Sequence, residues 1–206
     1  MNPEREQTEQ YLPFLQRMLT PQRLQHSLGV MHVMRELADI YSLDPARAAV
    51  VGLLHDAGKD LTATQQIALA KEMGLELRYP CEKHPQYLHG PVSAYLIWKE
   101  CNITDDLILE AISTHTYYGK GVNLNLALAW SLRFADLLAP AREWVGMKKL
   151  KTIVYKGELE KAALLQSRWV IEFFEEIDIP IHPNLTRIFR ELSIQLGVDS
   201  SFFERW

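Results

Sequence analysis

Histidine and aspartate side chains are the residues of this sequence whose types and spacing could do chemistry. His55 and Asp56 stand together directly after an apolar run that ends at Leu54, and Lys59 follows them. Adjacent residues of a regular helix project about 100° apart, but at a helix end both side chains can converge on one ion. Imidazole and carboxylate donors suit iron, manganese, zinc or cobalt. The other candidate donors, each within a helical pattern, are His26, His89, His115 and Asp136.

Six donors are enough for two adjacent metal sites if one carboxylate bridges them. Four neutral imidazoles and two carboxylates carry a charge of −2, so two divalent ions would leave a centre of about +2. Two ions about 3.5–4 Å apart can lower the pKa of a bridging water and stabilise both ends of an in-line displacement at phosphorus. Arg23 and Lys59 are placed to bind phosphate oxygens. The pattern therefore predicts phosphoryl chemistry, with Asp56, Lys59 and Arg23 as catalytic residues.

Each candidate also has an ordinary structural interpretation. A single histidine on a helix is more often a surface or core residue than a ligand, and Lys59 could simply favour a helix C-terminus through the helix dipole. Arg23 could pair with a surface carboxylate. His32 lies six residues after His26 and so faces elsewhere, which favours a structural role. The basic cluster at 148–151 is interpreted as a solvated face.

Composition is that of an ordinary globular protein. The 206 residues are 48% hydrophobic and 23% charged, and the net charge of −4 gives no reason to expect a nucleic acid polymer or an anionic membrane as partner. No apolar run approaches the roughly 18 residues of a membrane span, and no signal-peptide pattern opens the chain. Cys81 and Cys101 are interpreted as reduced thiols, so the predicted location is cytoplasmic.

Helix signals recur along the chain, and strand signals are nearly absent. Thr20 and Asp44 each precede a proline at a first helical position, and a capping box begins at Thr62. Thr104 is predicted to cap a later helix. Without a linker or repeat, the chain is predicted to be a single all-α domain over residues 1–206, with its core at about 20–190. The predicted helices span about 7–18, 21–41, 45–56, 62–74, 89–100, 104–116, 124–138, 158–174 and 183–197.

Taken in order, these motifs resemble the HD-domain phosphohydrolase superfamily, and within it the YqeK-type branch of bacterial symmetric bis(5'-nucleosyl)-tetraphosphatases. The resemblance spans about residues 20–190. It implies an HD-domain helical bundle with a dinuclear, usually iron, centre that cleaves diadenosine tetraphosphate into two ADP. The segments that carry it are Arg23–Ser27, Gly52–Asp56 with Lys59, Leu88–Val92, Ala111–Thr116, Ala135-Asp136 and Pro180–Asn184.

The resemblance also implies roles for single residues. It implies that His26, His55, Asp56 and Asp136 surround one ion, and that Asp56 bridges to a second ion held by His89 and His115. The substrate-binding residues that it implies are Arg23, Lys59, Thr116, Arg142 and His182.

One segment departs from the family pattern. Alanine stands at Ala139, where the family usually has an acidic residue before the proline and arginine. All six donors are intact, so the departure puts substrate preference in question and not the metal. A nucleotide is the implied partner. The sequence leaves open the native metal, with manganese, zinc and cobalt as alternatives to iron, and the oligomeric state, a homodimer included.

Three other functions stay open on the sequence alone. A metal-dependent nucleotidase or deoxynucleotide triphosphohydrolase would use the same centre on another substrate. A nucleotide-sensing protein would bind the ligand without turnover. A purely structural helical domain would carry the histidines by coincidence.

Overall fold

The structure, a computed structural model, describes residues 8–78, 81, 83–117, 126–140 and 143–204, and its regular elements there are helices. No strand occurs in these ranges, and the all-α prediction is confirmed. None of the helices there combines the length and apolar character that a membrane crossing requires. The helices are α1 (Leu12–Met18), α2 (Pro21–Ile40), α3 (Pro45–Leu54), α4 (Ala63–Glu72), α5 (His89–Cys101), α6 (Asp106–Thr114), α7 (Ala127–Leu138), α8 (Met147–Tyr155), α9 (Leu159–Glu176) and α10 (Pro183–Leu196).

Side-chain caps begin several helices where the sequence predicted them. The side chains of Thr20, Asp44 and Thr62 each accept a hydrogen bond from the backbone N–H three residues later, and the capping box at Thr62 is complete. These caps satisfy N–H groups that have no partner inside the helix. The cap predicted at Thr104 is wrong by one residue. Asp105 caps α6 instead, because its carboxylate accepts from two backbone N–H groups, those of Leu107 and Ile108.

Helix α8 was not predicted, and the sequence analysis interpreted its lysines as a solvated face. Lys148 and Lys151 are exposed, as that interpretation expects, but Lys149 is a correction. Lys149 is buried on α8, and its Nζ donates to the carbonyl oxygen of Glu204 at 2.8 Å. Leu150 and Val154 are fully buried on the same helix. Tertiary contacts along its inner face therefore stabilise a helix that local composition did not indicate.

Two close helix contacts determine how the predicted donors approach one another. At Gly52 on α3, a Cβ atom would lie 2.8 Å from the Cα of Met31 on α2. At Gly90 on α5, a Cβ atom would lie 2.6 Å from Oγ1 of Thr116, just beyond α6. No real side chain fits at either distance, so these glycines let α3 approach α2 and α5 approach the end of α6. Helix α7 also packs on α2 and α6, with Trp130 and Phe134 fully buried in the core.

Candidate metal centre

The turn after α3 carries the central pair of the site. Helix α3 ends at Leu54, and the chain continues with tight three-residue hydrogen bonds, including Lys59 N to Asp56 O at 2.8 Å. The turn is anchored to α5, since Gly58 N donates to Oγ of Ser93 at 2.9 Å. His55 is fully buried and Asp56 is 3% exposed. The pair lies at a helix end, as the sequence predicted.

The first set of donors surrounds one oxygen of Asp56. Nε2 of His55 lies 3.5 Å from Oδ2 of Asp56 and 4.0 Å from Oδ1 of Asp136. Nε2 of His26 lies 2.9 Å from the same Asp136 oxygen. The ligand atoms of His26, His55 and Asp56 all lie within 4.8 Å of one another. Helices α2, α3 and α7 thus bring four of the six predicted donors together.

The second set surrounds the other oxygen of the same aspartate. Oδ1 of Asp56 lies 3.4 Å from Nε2 of His89 and 3.7 Å from Nε2 of His115. The two imidazole nitrogens are 3.1 Å apart. These three residues form a second group whose ligand atoms lie within 4.8 Å of one another. Asp56 is therefore common to both sets and presents one oxygen to each.

Backbone carbonyls fix the tautomer of three of the histidines. Nδ1 of His55, His89 and His115 lies 2.8, 2.6 and 2.7 Å from the carbonyl oxygens of Gly52, Gln86 and Ile112, respectively. A carbonyl oxygen only accepts, so each Nδ1 carries the proton and each Nε2 keeps a lone pair. Such contacts from the outer nitrogen orient histidines that ligate metals.

The arrangement of the donors fits a metal ion. Two ligand atoms about 2.1 Å from one ion, at angles of about 90–110°, lie about 3.0–3.4 Å apart. The separations of 2.9 Å for His26 to Asp136, 3.1 Å for His89 to His115 and 3.4 Å for His89 to Asp56 are close to that range. Nε2 of His55 is fully buried and has no hydrogen-bond partner among the residues that the structure describes. A buried acceptor of this kind is costly unless a ligand occupies it.

Electrostatics favours neutral imidazoles around an ionised carboxylate. Burial lowers the pKa of His55, against the opposing charge of Asp56. Burial and then the neighbouring Lys59 ammonium hold the pKa of His89 well below its usual range. Burial alone would raise the pKa of Asp56, but the surrounding histidines and Lys59 outweigh it and hold that pKa well below its usual range. Neutral nitrogen and anionic oxygen are the protonation states that bind metal ions.

The two predicted phosphate-binding cations lie at opposite sides of Asp56. Nη1 of Arg23 is 3.2 Å from Oδ2 of Asp56, and its Nε is 3.7 Å from Oδ1 of Asp60. Nζ of Lys59 donates to Nε2 of His89 at 3.0 Å. This is the nitrogen with which His89 faces the other donors of the second set. Each set of donors therefore has one cation beside it.

The remaining predicted substrate-binding residues contact residues outside the two donor sets or lie outside the described ranges. The hydroxyl of Thr116, next to His115, donates to the carbonyl oxygen of Tyr87 at 2.8 Å. Nδ1 of His182 accepts from the backbone N–H of Asn184 at 3.1 Å, and the His182 ring lies 5.6 Å from that of Tyr87. Arg142 lies outside the described residues. The substrate contacts of all three stay predictions.

Two residues beside the centre escaped the sequence analysis. Asp60 accepts hydrogen bonds from the backbone N–H and the hydroxyl of Thr20, forty residues earlier, and no local pattern indicates such a contact. Arg133 is 2% exposed in α7. Its signal was present in the sequence as a lone charged residue within the mostly apolar stretch from Leu128 to Ala135.

Known proteins with similar sequences and structures share this fold. A model of the HD domain family matches residues 23–143. The chain is 28% identical over 178 residues, 85% of its length and 92% of the relative's, to the symmetrical bis(5'-nucleosyl)-tetraphosphatase of Bacillus subtilis (strain 168). It is 30% identical over 167 residues, 80% of its length and 83% of the relative's, to the protein of the same name from Staphylococcus aureus (strain NCTC 8325 / PS 47).

A solved structure extends the likeness to nearly the whole chain. The crystal structure of a predicted HD superfamily hydrolase involved in NAD metabolism, from Clostridium acetobutylicum, has a TM-score of 0.82 and 29% identity. The match covers 95% of this chain and 99% of that one.

An all-helical fold whose helix ends bring histidine and aspartate donors together defines a class of metal-binding HD-type proteins. The family model covers more than half of the sequence. This chain belongs to the HD domain family.

Proposed function

We propose that this protein is a metal-dependent phosphohydrolase that cleaves dinucleoside tetraphosphates symmetrically into two nucleoside diphosphates. The observation that carries the proposal is the position of Asp56 between two sets of donors, one at each of its carboxylate oxygens. The names of the relatives from Bacillus subtilis and Staphylococcus aureus supply the substrate class. A nucleotide is therefore the expected ligand, and the cytoplasm, where such nucleotides occur, is the expected location.

The residues proposed to hold two divalent ions are the six donors. His26, His55 and Asp136 would bind one ion, His89 and His115 the other, and Asp56 both. When bound, the ions would lower the pKa of water and offset negative charge on phosphoryl oxygens. Iron is the proposed native metal, and manganese, zinc and cobalt accept the same donors.

Cations of this chain complete the phosphate site. A tetraphosphate bridge carries several negative charges, and the two donor sets alone bring −2 from their carboxylates. Arg23 and Lys59 lie on either side of Asp56, where their side chains can bind phosphate oxygens and orient the bridge across both sets. Thr116, Arg142 and His182 are proposed as further substrate contacts.

Symmetric cleavage follows if the central bridge of the substrate lies over Asp56. Water attacks one inner phosphorus, and the bond from that phosphorus to the central bridging oxygen breaks. The bridging oxygen leaves with the second nucleoside diphosphate and takes up a proton. Binding the substrate in line for this displacement is the part that the protein's own side chains supply.

Product identification tests the proposal. Protein purified without oxygen is analysed for metal and incubated with diadenosine tetraphosphate in H₂¹⁸O. We expect ADP as the single nucleotide product. One of the two ADP molecules from each substrate molecule should carry one ¹⁸O atom, and the other none. ATP plus AMP as products would refute symmetric cleavage.

The same assay separates the alternative functions. ATP, dGTP and NAD are supplied as competing substrates, and turnover of one of them without turnover of the tetraphosphate would favour a nucleotidase or a role in NAD metabolism. Binding in calorimetry without any product would favour a nucleotide sensor.

A matched pair of variants tests the shared aspartate. Asp56→Asn keeps the shape of the side chain and removes its charge, so we expect metal content and activity both to fall by at least tenfold. His32→Ala is the control, because His32 is exposed on the same helix as His26. Full metal content in Asp56→Asn would contradict the bridging role.

A further inference from the structure

A buried arginine without a carboxylate partner lies behind the metal centre. Arg133 of α7 is 2% exposed, and its Nε and Nη1 atoms are buried and have no hydrogen-bond partner in the part of the chain that the structure describes. Among the described residues no carboxylate pairs with it. Burial lowers the pKa of its guanidinium to about 10, so the side chain is still charged near neutral pH. A buried charge in this state lowers stability, and the fold keeps it nonetheless.

The third guanidinium nitrogen hydrogen-bonds to the residue before His115. Nη2 of Arg133 donates to the carbonyl oxygen of Thr114, the last residue of α6 and the one before His115. The last carbonyls of a helix lack partners inside the helix, and a cation there is favoured by the helix dipole. The Thr114 carbonyl oxygen also accepts from the backbone N–H of Tyr117 at 2.8 Å, so Arg133 is its second donor. Arg133 therefore caps the end of the helix that presents His115.

Neighbouring rings hold the guanidinium in place. Its carbon lies 4.7 Å from the centre of the Trp130 ring and 5.1 Å from that of Tyr117. Tyr117 has a positive φ of 64°, a strained conformation for a residue with a side chain. Its hydroxyl donates to Gln166 at 2.6 Å, and its carbonyl oxygen accepts from Asn184 at 2.9 Å. The turn that follows His115 is thus held from α7, α9 and α10.

The two residues joined by this hydrogen bond, Arg133 and Thr114, stand close in sequence to donors of different sets. Arg133 stands one helical turn before Asp136, whose Oδ1 contacts His26 in the first set. Its hydrogen bond reaches the residue before His115, which belongs to the second set. The hydrogen bond therefore connects α7, which carries Asp136, to the end of α6, which His115 follows.

We propose that Arg133 is a positioning residue that holds His115 and the second donor set in register with the first. The proposal rests on the two-ion centre proposed above. Arg133 does not touch the predicted donors or the phosphate-binding cations in the contacts described. It acts through the carbonyl oxygen of Thr114 on α6. The fold keeps this buried charge, although it lowers stability, because it positions the site.

Substitution by a side chain of similar length without charge tests the proposal. In metal-free protein, Arg133→Met should have a urea midpoint equal to or above that of the parent, because it removes a buried unpaired charge. Contacts behind metal ligands are typically worth 10–100-fold in metal affinity or activity. We therefore expect the second equivalent of Mn²⁺ to bind at least tenfold more weakly and kcat to fall at least tenfold, with KM within threefold.

A conservative variant and a matched control complete the test. Arg133→Lys keeps a charge and one donor for the Thr114 carbonyl, so it should recover metal affinity and kcat to within about fivefold of the parent. Arg35→Met is the control, a partly buried arginine nine residues beyond His26 on α2, and should match the parent in both.

Each outcome decides the question. Normal binding of the second Mn²⁺ by Arg133→Met overturns the proposal, as does loss of stability in that variant in proportion to its loss of activity. If Arg133→Met fails to fold, Arg133→Lys decides alone. A folded lysine variant that binds the second ion tenfold more weakly refutes the positioning role of Arg133. A parent protein that binds one equivalent of Mn²⁺ would instead refute the two-ion centre, which is measured before any variant is made.

Discussion

Replacing Asp60 should weaken both the start of α2 and the orientation of Arg23. Oδ2 of Asp60 accepts from the backbone N–H of Thr20 at 2.8 Å and from its hydroxyl at 2.9 Å. Oδ1 lies 3.7 Å from Nε of Arg23, whose Nη1 contacts Asp56. Asp60→Ala therefore removes two hydrogen bonds to the cap of α2 and leaves Arg23 with one carboxylate neighbour.

The size of the effect follows from the exposure of the groups. Hydrogen bonds to charged groups contribute about 1.5–3 kcal/mol, and exposed ion pairs contribute about 1 kcal/mol or less. The Asp60 side chain is 24% exposed and Thr20 is exposed. We therefore expect a loss of about 1–2 kcal/mol in the free energy of unfolding. For a chain of this size, that loss lowers Tm by roughly 2–8 °C.

The effect on catalysis should fall on substrate binding. An Arg23 side chain without Asp60 samples more orientations, so we expect KM for diadenosine tetraphosphate to rise about tenfold, or about 1.4 kcal/mol. The value of kcat should stay within threefold, and metal content should be unchanged because Asp60 belongs to neither donor set. Thermal unfolding, steady-state kinetics and metal analysis measure the three quantities on the same preparation.

A second variant separates the two roles of Asp60. Asp60→Asn keeps an oxygen that can accept from Thr20 but removes the charge beside Arg23. We expect Asp60→Asn to lose less than half of the stability that Asp60→Ala loses, and to show the same rise in KM as Asp60→Ala. Unchanged KM in both variants would refute the reasoning about Arg23, and an unchanged Tm in Asp60→Ala would refute the reasoning about the cap.

Three further predictions concern packing, charge and pH. Gly90→Ala would place a Cβ atom 2.6 Å from Oγ1 of Thr116, so it should lower the free energy of unfolding by about 1–3 kcal/mol and weaken metal binding, as urea unfolding and metal titration would show. Lys59→Ala should raise KM about tenfold at full metal content; release of the metal would contradict a phosphate-binding role. Metal-free protein should lose stability as the pH falls below about 6.5, because burial lowers the pKa values of His55 and His89 in the fold and the unfolded chain binds those protons first. The slope in urea unfolding should reach at most about 1.4 kcal/mol per pH unit for each histidine, and constant stability from pH 7.5 to 5 would contradict it.

Local signals predicted most of the fold, because helix caps act over three or four residues. The caps at Thr20, Asp44 and Thr62 all lie where the sequence placed them. Helix α8 was missed because its stability comes from contacts that are distant in sequence. Lys149 reaches a carbonyl 55 residues away, and no local pattern distinguishes a buried lysine from a solvated one. The prediction of a single domain over residues 1–206 stays a prediction.

The site divides in the same way between local and distant contacts. The donors could be named from residue type and order, and the structure brings all six to one place. Nε2 of His115 lies 3.7 Å from Oδ1 of Asp56, which is close enough for both side chains to belong to the second donor set. The side chains that hold the site, Asp60 and Arg133, bond to residues 40 and 19 positions away. Sequence spacing carries no information on such pairs.

Helix ends orient two of the donor histidines, His55 and His115. Inside a helix each carbonyl accepts from the N–H four residues later. A histidine in the middle of a helix therefore finds no free carbonyl within that helix. His55 and His115 each follow the last residue of a helix, and each donates from Nδ1 to a carbonyl three residues earlier that lies in the last turn. The contact leaves Nε2 free to face the centre. The ending of the helix therefore fixes the tautomer of the histidine, and we expect a histidine moved one turn back into α3 or α6 to lose that orientation and, with it, metal affinity.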